Sequence, residues 1–92
     1  MRYRVVYSRQ AARSLKKLDP SVRTKIAEGI LERAKFPHVL PDKLRGDLKG
    51  LYKIKFRSLG LRVIYQVKDF EIEVHVIAIG KRDRGEVYKS LT

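Results

Sequence analysis

Between Leu51 and Arg57 apolar and cationic residues alternate without a break, with Tyr52, Ile54 and Phe56 interleaved by Lys53, Lys55 and Arg57. On a β-strand, where successive side chains point to opposite faces, this order makes one greasy face and one cationic face. Like charges two residues apart on a strand repel unless an anion lies over them. The cationic face is therefore shaped for phosphate, and the alternative is a solvated outer surface.

Other chemistry is scarce. The histidines are His38, in a loop, and His75, inside an apolar stretch; they give too few cues for a metal site or a histidine acid–base pair, and His75 reads as structural. No serine sits in a G-x-S-x-G context, and phosphate-loop and dinucleotide fingerprints are missing. The ten acids are scattered among basic neighbours, as surface charges or ion-pair partners. Neither cofactor nor metal is expected, and the functional potential lies in basic and aromatic side chains.

A formal net charge of +12 on 92 residues, with 43% hydrophobic residues, describes one folded domain spanning 1–92 that is drawn to polyanions, either nucleic acid or an acidic protein. Cysteine is absent, so nothing requires an oxidising compartment and the cytoplasm is the expected location. The opening Met1–Tyr7 mixes charges with apolar residues and reads as a first strand rather than a signal peptide. No run approaches the roughly 20 apolar residues of a membrane span.

The elements that must position the cationic strand follow from periodicity. A basic amphipathic helix begins near Ser8, with Ala11, Leu15 and Leu18 on one face and Arg9, Arg13, Lys16 and Lys17 off it. Asp19 as N-cap and Pro20 at the first helical position start a second helix, which carries Val22, Ile26, Ile30 and Ala34 and ends by Phe36–Pro37. Pro37–Gly50 is a loop with Lys43, Arg45 and Lys49 set against Asp42 and Asp47. After the cationic strand, Arg57–Gly60 turns the chain into a strand with Leu61, Val63, Tyr65 and Val67 facing the core and Arg62 and Gln66 opposite. Ile72–Ile79 is apolar enough for a central strand. The predicted architecture is α+β, βααβββ, with two N-terminal helices on one face of a small, mainly antiparallel sheet and the other face partly open. A charged tail from Lys81 to Thr92 has room for one helical turn.

Pairing of the last three strands sets Lys53 and Lys55 beside the strand that bears Arg62, and Arg82 emerges just past the end of the final one, so one concave patch can hold all four. In the series Lys43-Leu44-Arg45-Gly46, Tyr52-Lys53-Ile54-Lys55, Arg57-Ser58, Gly60, Arg62-Val63-Ile64-Tyr65-Gln66-Val67, Gly80-Lys81-Arg82, Arg84 and Glu86-Val87-Tyr88, the chain resembles the RelE-type bacterial toxins. The likeness implies a compact α+β fold related to microbial ribonucleases, action in the A site of the small ribosomal subunit, cleavage of messenger RNA there, and neutralisation by an acidic antitoxin of the RelB type. By position Lys53, Lys55, Arg62, Arg82 and Tyr88 match the family's active-site residues. The loop Asp47–Gly50 is longer than in some relatives, and little chain follows Tyr88.

The implied reaction is attack of a ribose 2′-hydroxyl on the adjacent phosphate, leaving a 2′,3′-cyclic phosphate and a 5′-hydroxyl. It needs a base, a group at the leaving oxygen, and positive charge on the phosphorane. With a pKa of about 10.4, only about one lysine in a few thousand is neutral at pH 7, so a lysine base needs cationic neighbours that lower its pKa. Lys55 surrounded by Lys53, Arg62 and Arg82 meets that need as base. Lys53 and Arg62 then stabilise the phosphate, Arg82 serves the leaving oxygen and Tyr88 stacks under a base. Arg9, Arg13, Lys16 and Lys17 with Lys25, Arg33 and Lys35 on the helices, and Lys43 and Arg45 in the loop, are expected to grip ribosomal RNA. Two other readings stand beside this one: a ParE-like toxin that inhibits DNA gyrase without cutting RNA, and a non-catalytic RNA-binding protein.

Overall fold

A computed structural model of the chain describes residues 2–89 and Leu91; Met1 of the expected first strand and Ser90 and Thr92 of the expected tail lie outside the described residues. The elements are β1 (Arg4–Tyr7), α1 (Arg9–Lys16), α2 (Pro20–Arg33), β2 (Leu51–Phe56), β3 (Leu61–Lys68), β4 (Glu73–Lys81) and the one-turn α3 (Glu86–Lys89). The sheet order is β1-β4-β3-β2, with β1 parallel to β4 and the other two pairings antiparallel. This is the expected α+β arrangement, and α3 is the helical turn for which the charged tail had room.

The two N-terminal helices form as their caps dictate, with two corrections. Ser8 caps α1: its Oγ accepts from the Ala11 N–H at 3.0 Å and donates to the Ile77 carbonyl at 2.8 Å, tying the helix to β4. The helix stops at Lys16, so Leu18 lies beyond it, yet still packs on the core from the connecting turn. Asp19 occupies the N-cap of α2 without a side-chain cap bond. What closes the hairpin is Arg23, whose guanidinium donates to the Lys16 and Leu18 carbonyls, both at 3.0 Å, satisfying acceptors that α1 leaves open at its end. Gly29 on α2 leaves space for the Phe56 ring; a Cβ there would lie 2.5 Å from Phe56 Cε1.

Alternation holds along β2 and β3. Tyr52, Ile54, Val63 and Tyr65 are buried under the helices with Ile26 and Ile30. On β4 the alternation breaks, because Tyr65 pairs with Val76 and Ile64 with Ala78, so Ile77 is an extra residue in the ladder. Val74 and Val76 face the helices before this bulge, and Ile79 does so after it, a change of parity that one inserted residue produces. The bulge also turns the Ile77 carbonyl to Ser8.

The face away from α1 and α2 is less open than the sequence implies. Ile64, Ala78 and Val87 form a second small core there, with Leu44, Leu51, Tyr88 and Leu91 around it. Val87 reaches the sheet because Gly80 has no side chain, since a Cβ would lie 3.3 Å from the Val87 Cα. Ile72, expected in the central strand, sits instead in the turn before β4 with φ 55, and its carbonyl accepts from the Arg4 N–H. His75 is structural, as expected: its Nε2 lies 2.9 Å from Glu73, which is also paired with Arg4.

Candidate active site

The cationic stripe of β2 faces the same side as α3. Register places Lys55 directly across from Arg62 on β3, Arg62 across from Gly80 on β4, and Lys53 across from Ile64 in the second core. Gly80, the residue that admits α3, thereby brings Tyr88 over Arg62. The Arg62 Nη1 donates to the Tyr88 hydroxyl at 2.9 Å, and its guanidinium carbon lies 5.7 Å from the centre of the Tyr88 ring. Arg62 Nε is buried without a hydrogen-bond partner among the described residues.

Lys55 stands in a field of like charge. Its pKa is held below the ordinary lysine value chiefly by Lys53, then by Arg57, by partial desolvation and by Arg62, against a small opposing pull from Asp42. The direction is the one a lysine base needs, but the company differs from expectation: Arg57, just past the end of β2 in the turn that follows it, acts where Arg82 was expected to. Arg82 is exposed beyond the end of β4, its N–H bonded to the Gly60 carbonyl at 3.0 Å and its carbonyl accepting from Gly85. It borders a shallow hollow with Leu59, Leu61 and Asp83, at the edge of the patch rather than in its centre.

The remaining cations divide among three places. Lys43 and Arg45 join Lys49 and Lys53 around a cleft of about 620 Å³ that also meets Leu40, Pro41, Leu44 and Gly46, so these two loop residues adjoin the β2 cations. Gly46 takes φ 65 at the rim of this cleft, a left-handed turn that suits glycine. Arg9, Arg13, Lys16 and Lys17 are exposed on α1, in the helix layer on the far side of the sheet from Lys55, and form a separate surface. Lys25 is exposed on α2 and Lys35 pairs with Glu32.

Arg33 overturns its expectation as an RNA grip, because its guanidinium is turned inward. It donates to the Lys53 carbonyl at 3.1 Å, to the Tyr65 hydroxyl at 3.0 Å and to Asp42 at 2.8 Å. Alternation flagged Arg57 as part of the cationic face without marking it as a modulator of Lys55. Nothing in the sequence marked the inward turn of Arg33. Among the described residues no cluster of histidine or acidic side chains is arranged to hold a metal, and no helix is long and apolar enough to cross a membrane.

Such a surface, a crowded lysine with guanidinium and phenol groups beside it, suits the handling of a phosphodiester. Comparison with known proteins points the same way. A family model described as the ParE toxin of type II toxin–antitoxin systems matches residues 5–85. The mRNA interferase toxin RelE of Escherichia coli K12 is 40% identical over 88 residues, covering 96% of this chain and 92% of that protein. Among solved structures, a mutant of E. coli RelE in the free state superposes with a TM-score of 0.85 at 37% identity, over 97% of this chain and 93% of that one. RelE in the intact E. coli RelBE toxin–antitoxin complex gives 0.79 at 37% identity, over 86% and 95%. With the matched segment running from β1 into the turn before α3, and the fold shared over nearly its whole length, this chain belongs to the ParE/RelE family of toxins of type II toxin–antitoxin systems.

Proposed function

We propose that this protein is a toxin that cleaves messenger RNA in the A site of the ribosome, by attack of a ribose 2′-hydroxyl on its 3′-phosphate. The observation that carries this reading is the placement of Lys53, Lys55, Arg62 and Tyr88 on one sheet face, with Lys55 biased toward its neutral form by the cations around it. Neutral Lys55 takes the proton from the 2′-hydroxyl, the 2′-oxygen bonds to phosphorus, and the bond from phosphorus to the 5′-oxygen breaks. Lys53 and Arg62 stabilise the charge gathered on the non-bridging oxygens. Arg82, at the rim, neutralises the departing 5′-oxygen, and its high pKa makes water or the ribosome the better proton source. Tyr88 offers a ring on which a base of the message stacks, helping hold the in-line geometry.

The groups gathered at this face among the described residues are cations and a phenol rather than a paired carboxylate and imidazole, so the ribosome is assigned the task of orienting the message. Lys43, Arg45 and the α1 cations Arg9, Arg13, Lys16 and Lys17 supply phosphate contacts that position the protein on ribosomal RNA. The partner that silences it is an acidic antitoxin like the one in the RelBE complex, drawn by the +12 charge, and both meet in the cytoplasm.

The match to a ParE model favours a second reading, inhibition of DNA gyrase without RNA cleavage. One experiment separates them. Programmed ribosomes incubated with the protein should yield A-site cuts ending in cyclic phosphate, while free RNA stays largely intact. Intact message on the ribosome, with supercoiling by gyrase blocked in a parallel assay, rejects the nuclease.

A further inference from the structure

The inward-turned Arg33 joins four parts of the fold. From the last turn of α2 it reaches Asp42 in the loop, the backbone of β2 at Lys53, and the Tyr65 hydroxyl on β3. Tyr65 is fully buried, donates its own proton to the Pro37 carbonyl at 2.7 Å and stacks on Tyr52 with 5.4 Å between ring centres. The Arg33 and Asp42 side chains are 18% and 20% exposed, sheltered enough that their pairing is not the weakly held kind found between free surface charges. Immediately after Asp42, Lys43 bridges to Tyr52, and the Leu44 N–H donates to the Leu51 carbonyl at 2.9 Å. The loop that presents Lys43 and Arg45 to the cleft is thus tied to β2 by a single β-bridge, one residue beyond the one that Arg33 holds.

We propose that Arg33 and Asp42 are positioning residues for the cleavage site: the guanidinium fork locks the cation-bearing loop to β2 at Lys53, and so sets where Lys43, Arg45, Lys53 and Lys55 stand around one phosphate chain. A lysine cannot take this place, because three acceptors in different directions need the several fixed donors of a guanidinium. Asp42 has a second consequence. The charges acting on Lys55 are Lys53 on its own strand, Arg57 in the following turn, Arg62 across on β3, and Asp42 from the loop, and Asp42 is the one carboxylate among them. By holding Asp42 in place, Arg33 also limits how far the cationic crowd acts on Lys55.

This inference rests on the cleavage reading for its effect on activity, and not for its effect on geometry. The test uses the full chain with Arg33→Met and Asp42→Asn, read by single-turnover cleavage on programmed ribosomes, ribosome affinity, amide exchange at Leu44, and nitrogen NMR titration of the Lys55 Nζ in the free protein. Arg33→Met should slow cleavage by about ten- to a hundredfold, with ribosome affinity kept within about twofold, because a misplaced site loses rate before it loses grip. Its Leu44 amide should exchange faster. Asp42→Asn keeps an acceptor for Arg33, so Leu44 should stay protected while the Lys55 titration moves to lower pH. Unchanged Leu44 exchange in Arg33→Met overturns the clamp, and faster exchange with unchanged cleavage reduces it to a structural tie and overturns its positioning role. A Lys55 titration unmoved by Asp42→Asn overturns the electrostatic part, and this measurement decides even if Arg33→Met does not fold. Full cleavage by Lys55→Ala would instead reject Lys55 as base and leave the exchange result standing.

Discussion

Lys55 owes its lowered pKa to like charges that the fold holds beside it, and that arrangement costs stability. At neutral pH the unfolded chain, with an ordinary lysine, binds this proton more tightly than the native state does, so protonation favours unfolding. Lys55→Met should therefore raise the melting temperature while slowing cleavage by about 10²–10⁴-fold, the usual worth of a general base; a variant that loses activity and stability together would point to a packing role instead. Lys53→Met removes the largest cause of the depression. The base works unprotonated, so its activity rises with pH through the Lys55 pKa, and restoring that pKa toward the ordinary value should move the rising limb of the pH–rate profile to higher pH. Tyr88→Ala should cost about 1–3 kcal/mol of transition-state binding if the ring stacks on a base, seen as a fall in kcat/KM that Tyr88→Phe largely avoids.

Between elements, two glycines govern how closely helices approach the sheet. At Gly80 the absent side chain lets α3 settle with Val87 on the backbone of β4, and α3 carries Tyr88 to Arg62. Gly80→Ala should lift this single turn by a few tenths of an ångström. It should destabilise the protein by about 1–2 kcal/mol and lower cleavage in the manner of Tyr88→Ala, since Tyr88 rides on the same turn as Val87. At Gly29 the neighbour is the Phe56 ring, which is wedged between α2 and the sheet. Alanine is the better helix former, but Gly29→Ala forces that ring out of its place and should destabilise the protein by about 1–2 kcal/mol in urea unfolding. Alternation along β2 predicted correctly that Tyr52, Ile54 and Phe56 would pack inward, because strand periodicity is a property of the local backbone. That Phe56 needs a glycine opposite it was not readable, because the two residues meet only when α2 lies on the sheet.

For the whole molecule, charge divides into surfaces. The β2 face and its cleft gather the cations assigned to cleavage, while Arg9, Arg13, Lys16 and Lys17 lie in the opposite layer, so ribosome binding and chemistry should separate by mutation. Arg13→Ala should weaken ribosome binding and reduce the slope of log affinity against log salt by about 0.7–0.9, one phosphate contact. Acids, by contrast, help fasten the far end of the sheet. Arg4 first, then His75, holds the Glu73 carboxyl below the usual carboxylate range, and the Tyr3 hydroxyl and His38 do the same for Asp69. Both bind a proton less readily folded than unfolded, so the stability they contribute is complete above the ordinary carboxylate pKa and is lost as pH falls through their lowered values. Glu73→Gln should accordingly flatten the fall in melting temperature between about pH 6 and pH 3 relative to the parent protein.

The chain alone determined the periodic features: the two-faced β2, the amphipathic α1, the helical restart at Pro20, the turn at Gly60, and an excess of positive charge with almost no imidazole to share the work. These follow from backbone geometry and from composition, which act over a few residues or over the sum of all of them. Tertiary structure alone decided what depends on pairs far apart in sequence. The Ile77 bulge reversed the parity of β4, Gly80 admitted α3, Arg57 rather than Arg82 came to act on Lys55, and Arg33 turned from solvent to the backbone of Lys53. A side chain's charge is written in its residue type, but the direction it points and the charges it feels are set by neighbours that only folding brings within reach.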